Sequence, residues 1–253
     1  MKEKSKVVAA SYDGAAREGW RDRLAATIAA LEAEAREVPR SPLETDLQAR
    51  LRLLYLVANR REDALRPITS APPTVQEFWT QEIYGLATWL DADRITDSGR
   101  RASEARMQLA GAAHRLGELA PLVIRNLSFI TEVKSYGDVK PFEKYEFAHD
   151  QQVMLYAEVE NFKSEETSKG FHTVLGGNYQ IFDSRGQRVD KRELQTIEEY
   201  CRSPRRDFFV EYLLRIPKRL SPGKYTLQLT LDDLQGQKVA QSSIQFTVRD
   251  PEK

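Results

Sequence analysis

At 253 residues, 41% apolar and 30% charged, the chain has the composition of a globular protein with room for one or two cores. Lysine plus arginine equals aspartate plus glutamate at 38 each, so no global field draws it to nucleic acid or to an anionic membrane. A single cysteine, Cys201, excludes an internal disulfide, and no apolar run reaches the ~20 residues of a membrane helix. The opening MKEKSKVVAAS carries only Val7–Ala10 as an apolar stretch, too short for a secretory signal. The literal expectation is a cytoplasmic protein; a cell-envelope protein follows if a signal has been removed.

Four helices are predicted in the first half. The first places Trp20, Leu24, Ile28 and Leu31 on one face and stops near EVPRSP. The second opens at Ser41-Pro42-Leu43-Glu44, a capping serine, a proline suited to the first turn and a glutamate completing a capping box. Its stripe is Leu43, Leu47, Leu51 and Leu54. RREDALRPITSAPP has room for one short extra turn. The third helix starts at Pro73 with the stripe Val75, Trp79, Ile83, Leu86 and Leu90. The fourth begins near Asp97-Ser98 and runs Ala102, Ala105, Leu109, Ala112, Leu116 and Leu119, a face small enough at one end for close approach. Short links between antiparallel helices imply a bundle or a stack of helical hairpins. EIYGLATWLDAD followed by SEARMQLAGA resembles one tetratricopeptide hairpin, with Gly85 at the close crossing, but no fixed period recurs.

Alanine marks the boundary, with 22 before residue 121 and 3 after it. We therefore expect a helical domain over 1–120 and a strand domain over 121–253. Strands are predicted near Leu127–Val133 and Lys144–Phe147. Val153, Leu155, Ala157 and Val159 then alternate with more polar neighbours, followed by Tyr179 and Ile181, Phe208 to Ile216, Tyr225 to Leu231, and Ile244 to Val248. One dry face and one wet face imply antiparallel sheets packed in pairs, with seven to nine strands. LSPGKYTLQLTLDD followed by KVAQSSIQFTV resembles the last two strands of bacterial immunoglobulin-like or fibronectin-III-like modules, and FAHDQQVMLYAEVENF resembles an early one. That resemblance implies an immunoglobulin-like antiparallel sandwich, hence an α+β chain of two domains. LYAEVENF and EEYCRSPRRDFF also resemble segments of other bacterial proteins, which implies no activity.

Residues able to do chemistry are sparse. His114 sits in a helix, His149-Asp150 in a turn, and His172 at a strand start, with no metal-ligand spacing among them. Cys201 lies near Arg202, Arg205 and Arg206, which favour a thiolate, and near Glu198 and Glu199, which oppose it. Gly176-Gly177 is followed by strand, not helix, so it is a bulge or kink and no phosphate cradle. Asp232-Asp233 belongs to a hairpin turn. We therefore expect no catalytic set, no metal and no cofactor.

Three surfaces remain as binding candidates. The first is a basic patch of Lys191, Arg192, Arg202, Arg205 and Arg206, with Lys218 and Arg219, if their loops fall at one end of the sandwich. The second is the aromatic run Tyr136, Phe142 and Tyr145, placed to stack on sugars or on a partner chain; Tyr145 shares its parity with Phe147 and is expected to enter the core. The third is the arginine-rich face of the helices, whose basic residues after residue 6 include no lysine. The expected function is non-enzymatic protein interaction or scaffolding, with carbohydrate binding through the loop aromatics as the alternative.

Overall fold

The structure, a computed structural model, describes residues 15–38, 41–205 and 207–250. The chain parts into two compact units, one ending at Arg115 and the other beginning at Leu116.

The first unit is helical. Helix α1 spans Ala15–Glu37, α2 Pro42–Val57, α3 Arg61–Ala64, α4 Pro73–Leu90 and α5 Ser98–Leu119. The Ser41 hydroxyl accepts the Glu44 amide at 3.3 Å, and Asp97 Oδ1 accepts the Arg100 amide at 2.6 Å, so both starts carry the side-chain caps that orphan amides need. The core gathers Ile28 and Ala35 from α1, Leu51 and Tyr55 from α2, Ala64 from α3 and Ile83 from α4. Helix α3, the extra turn, is tied down by its first residue: Arg61 donates to the Ala87 carbonyl at 2.7 Å and pairs with Asp91 at 3.4 Å. Gly85 is where α4 and α5 approach, since a Cβ there would lie 2.8 Å from Leu109 Cγ and 3.3 Å from the Ala105 carbonyl oxygen.

Each predicted stripe is buried over only part of its length. Leu43 in the first turn of α2, Leu90 in the last turn of α4, and Leu116 and Leu119 at the end of α5 are exposed. A common helix face makes residues equivalent by rotation, but burial also needs a neighbour alongside.

In the second unit the strands are β1 (Val123–Ser135), β2 (Asp138–Pro141), β3 (Glu146–Phe147), β4 (Gln152–Glu160), β5 (Glu165–Thr167), β6 (Gly170–Phe182), β7 (Arg188–Glu193), β8 (Ile197–Cys201), β9 (Phe208–Arg215), β10 (Gly223–Asp233) and β11 (Lys238–Val248). One sheet has the order β2-β1-β4-β9. The other has β3-β11-β10-β6-β5, with β7 and β8 also paired to β6. Pairing is antiparallel except between β3 and β11, where Thr247 and Val248 run parallel to Glu146 and Phe147. Phe129, Leu155, Val159, Phe208 and Val210 from the first sheet share one core with Leu175, Ile181, Leu227, Leu229 and Phe246 from the second.

Gly176-Gly177 lies inside β6. Gly177 has φ +158°, and a Cβ there would overlap the Thr230 carbonyl oxygen, so the backbones of β6 and β10 require glycine at this point. On the opposite edge β6 pairs with β8 from Phe171 to Leu175 and with β7 from Asn178 to Phe182.

The alternation expected for β4 holds only in part, because Tyr156 and Glu158, on its nominally wet face, are buried as well. Tyr156 donates to Glu158 at 3.0 Å and accepts the Gly137 amide at 2.9 Å, while Asn126 donates to Glu158 at 2.7 Å. The Gly137 amide of the β1–β2 turn and Asn126 of β1 thus satisfy the polar atoms of Tyr156 and Glu158 on the outer face.

Candidate functional site

The predicted basic residues do not converge at one end. Lys191 and Arg192 sit opposite Gln180 and Tyr179 on β7, whereas Cys201, just before Arg202, sits opposite Phe171. Eight residues of β6 separate the two positions, ~26 Å at strand rise. Most of these cations have nearby carboxylates. Lys191 pairs with Glu193 at 2.7 Å, Arg205 with Glu199 at 3.5 Å, and Lys218 with Asp150 at 3.3 Å. Arg192 and Arg219 do meet, around buried Asp190. Arg202 is exposed beside Cys201, which is half-buried, and Arg206 lies outside the described residues.

The aromatic run is divided between two faces. Phe142 packs edge-on against Phe147 at 5.2 Å between ring centroids, and Tyr145 against Phe129 at 5.2 Å, so both join the core as its half-buried margin. Tyr136 lies with Tyr156 and Glu158 on the outer face of the first sheet; burial, then the Glu158 carboxylate, holds its hydroxyl pKa up. No flat platform of three rings results.

The histidines are separated as well. His149 Nε2 lies 2.6 Å from the Leu220 carbonyl oxygen, and neighbouring Asp150 pairs with Arg215 at 3.2 Å, close to the first sheet. His172, on β6 of the second sheet, stacks on Tyr200 at 4.3 Å and contacts Glu198 at 2.9 Å and Gln235 at 3.0 Å. This is a surface cluster in which each polar ring atom already has a partner. Among the described residues no His, Cys, Asp and Glu group has the arrangement of a metal site, and no helix is long and apolar enough to cross a membrane.

One surface with the geometry of a binding site lies in the helical unit, and only its arginine content was legible beforehand. The start of α1 and the end of α2 flank a groove of about 540 Å³. Leu24 and Ile28 form its floor, and Trp20 and Val57, 41% and 61% exposed, form its lips. Beyond it, between α1, α2 and α3, lies a second hollow of about 500 Å³ lined by Arg36, Arg52, Arg60 and Arg66 with Glu32 and Asp63. Glu32 and Arg60 line both, 3.4 Å apart, so one continuous surface has a half with an apolar floor rimmed by Arg21 and Asn59 and a basic half. Arg60 also lies over the Tyr55 ring at 4.4 Å, and the Tyr55 hydroxyl donates to Glu32 at 2.8 Å.

No family model matches the chain, and no curated protein matches it. Among solved structures it is similar to the alkylpurine DNA glycosylase AlkC of Pseudomonas fluorescens, at 10% identity over 81% of this chain with a TM-score of 0.32. The chain spans about half, 53%, of that enzyme's length. It is also similar to the C-terminal domain of Wzt, at 14% identity over 53% of this chain and 76% of that one, TM-score 0.33. An immunoglobulin-like protein of Pseudomonas aeruginosa aligns at 17% identity over 51% of this chain and 98% of its own, TM-score 0.27. Likenesses this weak carry nothing about binding or activity.

Proposed function

We propose that this chain is a non-enzymatic protein-interaction or scaffold protein, with an immunoglobulin-like sandwich as its second unit and a docking groove on its first. The strand orders β1-β4-β9 and β11-β10-β6 support the immunoglobulin-like reading, since they match the A-B-E and G-F-C arrangement of such domains. So does Tyr225, at the start of β10, whose hydroxyl donates to the Ser221 carbonyl at 2.8 Å in the manner of a tyrosine corner.

One observation carries the docking reading: the groove framed by Trp20 and Val57 leaves large apolar side chains in water next to a basic hollow. Exposed apolar surface rimmed by polar residues is the usual mark of a protein contact, and aromatic and arginine anchors dominate such contacts. Carbohydrate binding by Tyr136, Phe142 and Tyr145 is the weaker proposal, because those rings are split between two faces.

Selection of a displayed random-peptide library on the full chain tests this function. Enriched peptides should share apolar residues and lose binding to Val57→Asp. A selection that enriches nothing, or peptides that bind Val57→Asp equally well, would remove the groove as the docking site.

A further inference from the structure

We infer that the groove takes a peptide segment with an apolar anchor followed by carboxylate side chains, and that Arg52 reads a carboxylate. This rests on the docking function proposed above and names the chemistry of the partner.

Charge is the first support. The chain as a whole is neutral, yet the basic hollow sets Arg36, Arg52, Arg60 and Arg66 against only Glu32 and Asp63. Both acids are engaged. Glu32 accepts the Tyr55 hydroxyl at 2.8 Å and faces Arg60 at 3.4 Å, and Asp63 holds Arg60 at 2.7 Å and Arg66 at 3.0 Å. The surplus is positive and local.

Arg52 is the second. It is buried, 9% exposed, and still lines the hollow. Its Nε donates to the Arg66 carbonyl at 2.8 Å. Its terminal amino groups meet no carboxylate at ion-pair distance among the described residues, and the Tyr55 ring at 5.8 Å is its other neighbour of note. Burial, foremost, pushes its pKa down and nearby Arg66 adds to that, while Tyr55 and the more distant Asp63 carboxylate offset part of it. A desolvated guanidinium held by one carbonyl is an expensive arrangement for stability alone, and a planar carboxylate would complete the fork.

Continuity is the third. A free inorganic anion would fill the basic half and leave Trp20, Leu24, Ile28 and Val57 uncovered. A segment with an aromatic or aliphatic anchor beside acidic residues covers both halves, and the Glu32–Arg60 pair between them sets its direction.

The test is fluorescence anisotropy on the full chain with three dye-labelled peptides: a Trp-Leu pair followed by glutamates, by serines or by lysines. The glutamate peptide should bind best, and its affinity should fall with salt. Arg52→Gln should weaken it by roughly tenfold or more, the loss expected for a charge-assisted fork. That variant should melt close to the parent, because relief of a buried cation offsets the lost bond to the Arg66 carbonyl. Arg52→Lys keeps the charge without the fork and should fall between the two. If Arg52→Gln melts well below the parent, Arg36→Gln, at the exposed rim, takes its place with a smaller loss expected. Equal binding of the glutamate and serine peptides, or unchanged affinity in these variants, overturns the inference. So does inorganic phosphate that binds with no peptide binding. If all three peptides bind alike and Val57→Asp abolishes them, the docking groove stands and only the carboxylate preference falls; if none binds, both fall.

Discussion

In the sheet unit Phe129, Phe147 and Phe246 meet one another with ring centroids 5.0 to 6.1 Å apart and are essentially sealed from water. In the helical unit Trp20 and Trp89 remain 41% and 49% exposed, and the buried positions of α5 are alanines. The sheets interlock large side chains across one shared core. The helices approach on small residues, as at Gly85 and Ala105, and leave large ones at their ends. The contrast concerns the largest rings: the sheet unit seals its phenylalanines in the core, whereas the helical unit coheres through Ile28, Leu51, Tyr55 and Ile83 and leaves Trp20 and Trp89 half in water.

Several measurements would break or sharpen that contrast. The largest effect is expected for Phe129→Ala, which opens a cavity among the rings of Tyr145, Phe147 and Phe246 and should cost about 3–5 kcal/mol in denaturant unfolding of the sheet unit. Asp233→Ala should follow at about 2–3 kcal/mol. That buried carboxylate accepts the amides of Gln235 at 3.2 Å and Gly236 at 2.9 Å in the turn between β10 and β11 and of Lys163 at 2.8 Å in the loop after β4, so its loss strands two donors in the turn and one in that loop. Unfolding curves followed by circular dichroism would report both.

Alkaline pH probes the same core. Burial raises the Tyr212 hydroxyl from 10.0 to about 12, and it has no hydrogen-bond partner among the described residues. A phenol whose folded pKa is raised contributes its stability fully below pH ~10 and loses it as pH climbs toward ~12, roughly 2 kcal/mol over that window. Tyr212→Phe should flatten that decline and leave neutral stability unchanged or higher. Tyr225→Phe should instead lower stability by about 1 kcal/mol at neutral pH, because it removes the bond to Ser221. Opposite signs for one chemical change would confirm that the first hydroxyl is a burden and the second a tie. The smallest effect belongs to the helical unit: Trp89→Ser should stay within about 0.5 kcal/mol. A larger loss there would mean that its exposed aromatics hold the unit together after all.

Much of the chain's organisation was legible. Periodicity located the helices and the Ser41-Pro42 signal fixed the start of α2; the glycine pair, expected as a bulge or kink, instead lies in an unbroken β6 in register with β10, at the point where the other edge passes from β8 to β7. The misses share a cause, which is that pattern specifies a face but not what covers it. Tyr156 and Glu158 fall on the wet parity of β4, and the β1–β2 turn lies over them. Leu43 and Leu90 fall on the expected dry faces yet stay exposed at helix ends. The basic residues around Lys191 and Arg202 are near in sequence, yet β7 and β8 pair with opposite ends of β6 and hold them apart. The groove was hidden for a related reason. Arg52 reads as one more helix-surface arginine until the Arg66 carbonyl and Tyr55 close around it.

The way β6 shares its edge has a kinetic consequence. β8 and β7 occupy successive stretches of that edge, and the changeover falls at glycine. The two neighbours can therefore come away separately, and local opening need not travel the length of the sheet. Amide deuteration should resolve two protection levels along one edge, with β8, whose residues are half-buried or exposed, exchanging ahead of β7, which is anchored by buried Asp190. Length added between them, at Leu194 to Thr196, would fall in a stretch that already interrupts the ladder, which makes this edge the natural place for the sheet to accept an insertion.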